Sequence, residues 1–262
     1  MKDYLLFSSI GDNYDKAFKS WYCSKEDRNY DIIFIYYGTN QERVFELENY
    51  CDILREKKGS KFQNLVNFYD ELSINQYKYV WVVDDDIELK FNEINKMFDF
   101  INQKKYFLCQ PSMHPKGQNS FYLNVNKFGK PIHWIHHTNF IEVGCPILDK
   151  EHLEETVNIL KNIDNKLTAY GIDVIWQYYF FKPKKYFQVL LNFIVYNPHP
   201  HDKKNKSREC LKMGSNEERK NQSQEILENL NINYKNLRIY YKEDLKNNKI
   251  IKVNSNILLL RK

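Results

Sequence analysis

The sequence predicts an open α/β sheet with its ligand at the carboxyl ends of the strands. Three observations predict it. Continuous apolar runs at 4–10, 31–37 and 79–83 have the length of strands covered on both faces. Each run stops at a turn-forming or acidic group: Gly11-Asp12-Asn13, Gly38-Thr39-Asn40 and Asp84-Asp85-Asp86. Helical periodicity lies between and after the runs, the alternation that an α/β sheet requires.

The elements follow in order. Ser60 and Gln63 form a capping box for a helix carrying Leu65, Val66, Phe68, Tyr69 and Leu72. Asn92 is placed to cap a helix with Ile94, Met97, Phe98 and Ile101 on one face. Segments 107–110 and 121–125 read as short strands. Asp149 is placed to cap the longest helix, where Leu153, Val157, Leu160, Ile163 or Asp164, and Leu167 recur at spacings of three and four before Gly171. Segment 186–196 reads as a further buried strand. Segment 201–223 has few apolar residues and reads as an exposed loop. A short helix is expected over 224–230, and one or two strands over 249–262. No internal repeat is visible.

A chain of 262 residues suits one large domain, or a domain with a small appendage. Apolar residues make up 42% and charged residues 28%, which argues against wholesale disorder. The formal charge of +5 is uneven: residues 203–262 carry a net +8 and the first 202 a net −3. A body with net negative charge and no basic–aromatic motif argues against nucleic-acid binding. Five cysteines, none in a CxxC pair, argue against a disulfide scaffold or structural zinc and for a reducing, cytoplasmic setting. The apolar run near the N-terminus is short and lacks a small-residue cleavage pattern, so it reads as a first strand and not as a signal peptide. No stretch approaches the length of a spanning helix.

The sharpest local feature is Asp84-Asp85-Asp86 directly after a buried run. Adjacent carboxylates repel and raise one another's pKa. A hard divalent cation, Mg²⁺ or Mn²⁺, relieves that repulsion and keeps sites for a diphosphate; the alternative is a solvated, helix-capping turn. His199 and His201 follow the buried strand 186–196 and stand at a sheet edge, where one of them completes an acidic metal site or both are ordinary loop residues. His133, His136 and His137 match no zinc pattern. Asp173, just before the aromatic segment WQYYFF, is placed either as a helix cap or as a general base for an acceptor hydroxyl, roles that one carboxylate can combine.

The ordered set SSIG at 8–11, YDIIFIYYG at 30–38, KGSKFQNL at 58–65, YVWVVDDDIEL at 79–89, CQPS at 109–112, HTNFIEVGCPIL at 137–148 and YGIDVIW at 170–176 resembles nucleotide-sugar glycosyltransferases of the GT-A fold. More narrowly, it resembles a poorly characterised glycosyltransferase-like family of bacteria, plants and viruses. The resemblance covers 3–202. It implies a Rossmann-like GT-A domain over 1–202 with a mostly parallel central sheet and a DXD motif. A basic loop or lid over 203–223 and a small helix-and-strand extension over 224–262 would follow.

The resemblance implies Mn²⁺ or Mg²⁺ on Asp84 and Asp86, with Asp85 reaching the ribose or sugar. It implies a nucleotide lined by Ser8, Ser9, Gly11 and Asp12, a base near Tyr37 and Gly38, and contacts from Lys58 and Lys61. The implied donor is a nucleotide-sugar, a UDP-sugar first among candidates, and the acceptor a glycan or lipid-linked hydroxyl. Asp173 would be the base of an inverting transfer, with Glu142 in reserve, and His199 or His201 the late metal ligand. The chain departs from the family at Asn192, where members often carry aspartate. The basic tail admits three readings: a lid whose Lys203, Lys204, Lys206 or Arg208 touches diphosphate, a contact with an anionic membrane surface, or a solvated loop. Two other functions fit the same residues: a different divalent-metal enzyme acting on nucleotides, and a noncatalytic carbohydrate-binding protein using the chain's many tyrosines.

Overall fold

The computed structural model describes residues 1–163, 165–168, 170–204, 215–233 and 236–253. Among the described residues one ten-stranded sheet runs through the molecule. The first apolar runs are strands β1 (Tyr4–Ile10), β2 (Tyr30–Tyr36) and β4 (Tyr79–Val82), with β3 (Ile53–Glu56) at one edge. β1 pairs in parallel with β2 and β4, and β2 with β3. Side chains alternate across this parallel part as a strand period of two requires. Leu5, Phe7, Val80 and Val82 pack on one face, and Tyr4, Leu6, Tyr79 and Trp81 on the other, all of them buried.

Helices fill both faces. α1 (Lys16–Trp21), α2 (Gln41–Glu48) and α4 (Phe91–Lys104) pack Phe18, Trp21, Leu47, Ile94 and Phe98 on the second face. α3 (Lys61–Phe68), α5 (Lys150–Asn162) and α6 (Ile172–Tyr179) pack Phe62, Leu65, Leu153, Val157 and Trp176 on the first. The Ser60–Gln63 capping box is present at α3, and Asp149 Oδ1 accepts the His152 amide at 2.9 Å at α5.

The other half of the sheet corrects the expectation of a mostly parallel one. It contains β5 (Leu108–Met113), β6 (Trp134–Thr138), β7 (Ile147–Asp149), β8 (Phe187–Val195), β9 (Ile239–Asp244) and β10 (Lys249–Lys252). The strand order is β10-β9-β6-β8-β5-β7-β4-β1-β2-β3. Among the described residues β5–β8 is the one parallel pair in this half; β4–β7, β5–β7, β6–β8, β6–β9 and β9–β10 are antiparallel. β7 enters between β4 and β5 straight from the loop 139–146, without the crossover helix that a parallel neighbour needs. β9, from the C-terminal extension, pairs with β6 inside the same sheet.

Several boundaries differ from expectation. Segment 121–125 is not a strand. Tyr122–Asn124 forms a 3₁₀ turn, and this segment meets β5 at an isolated Met113–Val125 bridge. α4 begins at Phe91, capped at Lys90 and not Asn92. α5 stops at Asn162, where Asn165 turns left-handed (φ 54°) and its amide returns to the Leu160 carbonyl at 2.8 Å; Leu167 still reaches the core from the turn beyond. Gly171 is the N-cap of α6, not the close of α5. The late helix α7 spans Asn216–Asn229 and starts within the segment read as loop, on a Ser215–Glu218 capping box. Asp164, Lys206, Arg208 and the last expected strand (254–262) lie outside the described residues. Among the described residues no helix is long and apolar enough to cross a membrane, and Cys23, Cys51, Cys109 and Cys145 form no disulfide.

Candidate active site

The carboxyl ends of β1 and β4 open into a cavity of about 470 Å³. Its floor is the acidic triplet, and each aspartate faces a different partner. Asp85 Oδ2 accepts the Gly11 amide at 2.8 Å and the Tyr37 hydroxyl at 2.9 Å, so it ties the ends of β1 and β2 together. Asp84 Oδ1 lies 2.7 Å from Lys61 Nζ. Asp86 pairs with the ammonium of Lys203.

Lys61 is the first residue of α3, so the capping box sets its direction. Its side chain is 7% exposed, and Nζ also donates to the Gly144 carbonyl at 2.7 Å. The same carbonyl accepts the Asp84 amide at 2.9 Å. A β-carbon on Gly144 would stand 3.5 Å from Asp84 Oδ2. The triplet is thus braced by the loop between β6 and β7. Crowding by protein pushes the Asp84 carboxyl up, Lys61 pulls it down, and the charge of Asp86 pushes it up again. With 48% of its side chain open to the cavity, water moderates that rise.

The opposite wall carries two carboxyl groups, Glu142 and Asp173. Phe140 and Ile141 are buried, which fixes the loop that presents Glu142, and the Glu142 amide donates to Gln110 Oε1 at 2.6 Å. Burial raises the Glu142 carboxyl to about 7, against hydrogen bonds from Asn124 and Ser120, while Asp173 and Asp84 add repulsion. Asp173 sits in the first turn of α6, is 7% exposed and accepts the Val174 amide at 3.0 Å through Oδ1.

Of the other expected residues, Ser9 and Tyr37 line the cavity. Ser8, Gly11, Asp12, Gly38 and Lys58 do not line it. Ser8 is fully buried and its hydroxyl donates to the Val83 carbonyl at 2.8 Å. Asp12 accepts the Tyr36 hydroxyl at 2.7 Å. Gly38 leaves room for that pair, since a β-carbon there would fall 2.4 Å from Tyr36 Oη. Lys58 is exposed.

His199 and His201 also stand outside the cavity lining. Their rings stack 5.3 Å apart, His199 Nε2 lies 3.1 Å from the Lys116 carbonyl, and His201 Nε2 lies 3.5 Å from Asp202. The chain that leaves this turn delivers Lys203 to Asp86. His137 lies on β6, with Nε2 3.1 Å from Glu243 Oε2.

Sequence reasoning missed the wall formed by Tyr170 and α7. Arg219 and Lys220 line the cavity with their charges 5.0 and 5.9 Å from the Tyr170 ring centre. The Ser215–Glu218 spacing is the signal that could have revealed α7. Gln118 to Phe121 also line the cavity, with no motif to announce them.

Among the described residues no group of three or more His, Cys, Asp or Glu side chains is arranged to hold a metal ion. The donor chemistry nevertheless suits a hard divalent cation. Asp84 and Asp86 each already hold an ammonium group, and Mg²⁺ is commonly bound by one or two carboxylates plus substrate phosphates and water.

No protein-family model and no curated protein matches the sequence. Solved structures do align with it. The S. aureus TarS 1–349 structure aligns over 77% of this chain and 62% of its own, with 12% identity and a TM-score of 0.47. A second S. aureus TarS structure gives 77% and 38%, 12% and 0.48. GalNAc-T7 with UDP, GalNAc and Mn²⁺ gives 75% and 44%, 8% and 0.49. The chain spans less than two thirds of the length of each.

Proposed function

We propose that this chain is a glycosyltransferase that moves a sugar from a nucleotide-sugar, a UDP-sugar first among candidates, to a hydroxyl of a glycan or lipid-linked acceptor. One observation carries the reading: two carboxylates at the end of β4 face two carboxyl groups from separate elements across a single cavity. Asp84 and Asp86 form the donor side, and Glu142 and Asp173 the acceptor side.

Asp84 and Asp86 would hold Mn²⁺ or Mg²⁺. A divalent cation there supplies charge neutralisation for a departing nucleoside diphosphate. Lys61 keeps Asp84 in place, and Asp85 orients Tyr37 toward the nucleotide end. On the acceptor side, one carboxylate takes the hydroxyl proton as the oxygen attacks the anomeric carbon. Glu142 is assigned that role because its carboxyl lies near neutrality, the range in which a general base works best. Asp173 then orients the acceptor hydroxyl. This reverses the order expected from sequence, where Asp173 came first. A single base on the face opposite the leaving group implies inversion.

The test is a turnover screen with UDP-, GDP- and CMP-sugars and Mn²⁺ on the wild type, D84N and D86N. Donor hydrolysis or transfer is expected, with kcat/KM falling about 10²–10³-fold in both variants at unchanged circular dichroism. Full activity in both variants, or no turnover of any nucleotide-sugar, refutes the reading. A product anomer identical to the donor anomer refutes inversion.

A further inference from the structure

Lys203 follows directly after the 3₁₀ turn Pro200–Asp202. It is 7% exposed, and its ammonium meets Asp86. The backbone there is fixed within its own turn and against the loop after β1. The Lys203 amide donates to the Pro200 carbonyl at 3.2 Å, and the Lys204 amide to the Asn13 carbonyl at 3.2 Å. Lys204 Nζ lies 2.8 Å from Asp15 Oδ2. Ordering a lysine side chain is entropically costly, and a charge taken out of water needs a partner. A carboxylate on the cavity floor is that partner.

Two of the three floor carboxylates hold an ammonium partner in this state. Asp84 is matched by Lys61 and Asp86 by Lys203. A divalent cation arriving alone would add two positive charges beside two ammonium groups, and like charges at such range repel. A cation arriving with the diphosphate of a nucleotide-sugar, which carries two negative charges, adds no net charge to the floor. The displaced ammonium then has phosphate oxygens to meet.

We infer that Lys203 is a tethered competitor for the divalent cation at Asp86, and that it makes the site accept the cation together with a diphosphate in preference to the cation alone. The inference rests on the reading of Asp84 and Asp86 as the cation site. Lys203 is here a positioning residue that sets the order of binding.

The test is Mn²⁺ binding, followed by the electron paramagnetic resonance signal of free Mn²⁺, on the full chain with and without UDP, after subtracting the Mn²⁺ that UDP binds in the same buffer without protein. Wild type, K203M and K203R are compared. Wild type is expected to bind Mn²⁺ weakly alone and more tightly with UDP. K203M is expected to bind Mn²⁺ alone about tenfold more tightly, the equivalent of one charge-assisted hydrogen bond, and to lose a similar factor of the gain from UDP. K203R is expected to behave as wild type. K203M binding Mn²⁺ alone no tighter than wild type overturns the inference.

A second measurement needs no variant. Saturating Mn²⁺ alone is expected to raise acylation of the Lys203 amine in the native chain, read by mass spectrometry, and unchanged labelling overturns the inference. UDP bound with no Mn²⁺ bound by any form overturns it while leaving the nucleotide reading standing. Neither ligand bound by any form overturns both.

Discussion

Lys61 and Asp84 meet at 2.7 Å across the floor of the cleft, and the same ammonium holds the Gly144 carbonyl at 2.7 Å. One side chain therefore joins α3, the end of β4 and the loop that carries Glu142. Replacing it with methionine keeps the buried stem but removes the charge. K61M is expected to lower stability by about 1.5–3 kcal/mol in chemical denaturation, the range for a lost hydrogen bond to a charged group. Nucleotide affinity is expected to fall as Asp84 loses its brace. Unchanged denaturation and unchanged nucleotide affinity would remove Lys61 from this role.

Glu142 gives a pH signature. Its carboxyl is raised from 4.5 to about 7, so the folded state holds the proton between those values while the unfolded state has released it. Its contribution is most favourable below the unfolded pKa and is lost as pH rises through the folded one. Water in the cavity screens part of the effect, which is set at about 2 kcal/mol between pH 5 and pH 8. E142Q is expected to flatten that slope and so to gain on wild type at pH 8. An identical slope in both proteins would contradict the assignment.

In the proposed transfer the same group would control rate in the opposite sense. A general base must be ionised, so kcat/KM is expected to fall as pH drops below about 7, the value at which Glu142 gains its proton. E142Q is expected to lose about 10²–10⁴-fold in rate. A wild-type profile flat from pH 5.5 to 8 would return the base to Asp173.

Gly171 links the cavity wall that carries Asp173 to α7. Its φ of 93° suits glycine, and a β-carbon there would lie 2.4 Å from Ser223 Oγ. G171A is expected to cost about 1–3 kcal/mol through strain and displacement of α7. The double variant G171A/S223A, which removes the clashing hydroxyl but not the strain, is expected to recover part of that loss. Full stability in G171A alone would show that the turn relaxes freely.

Ser60 controls where Lys61 points. Its hydroxyl accepts the Gln63 amide, and the Gln63 side chain returns to the Ser60 amide at 3.0 Å. S60A is expected to lower stability by about 1 kcal/mol and to weaken nucleotide binding through Lys61. A loss of stability with intact binding would separate the cap from the site.

The apolar runs, their acidic or turn-forming ends and the caps at Ser60 and Asp149 were legible in the sequence. These features depend on residues close together in the chain: a strand's burial shows in its run of apolar types, and a cap shows in a spacing of three. The acidic triplet was legible for the same reason. Tertiary structure alone placed Lys203 of the basic tail on Asp86, gave Gly144 to both Asp84 and Lys61, and inserted β7 antiparallel between β4 and β5. Sequence also left open whether His199 or His201 would approach the triplet, and the turn that carries them presents the lysine instead. Such pairings join residues up to 117 positions apart, and any exposed cation in the tail satisfies the local pattern equally well. Only the path of the backbone, fixed by burial of the two core faces, decides which charge reaches which carboxylate.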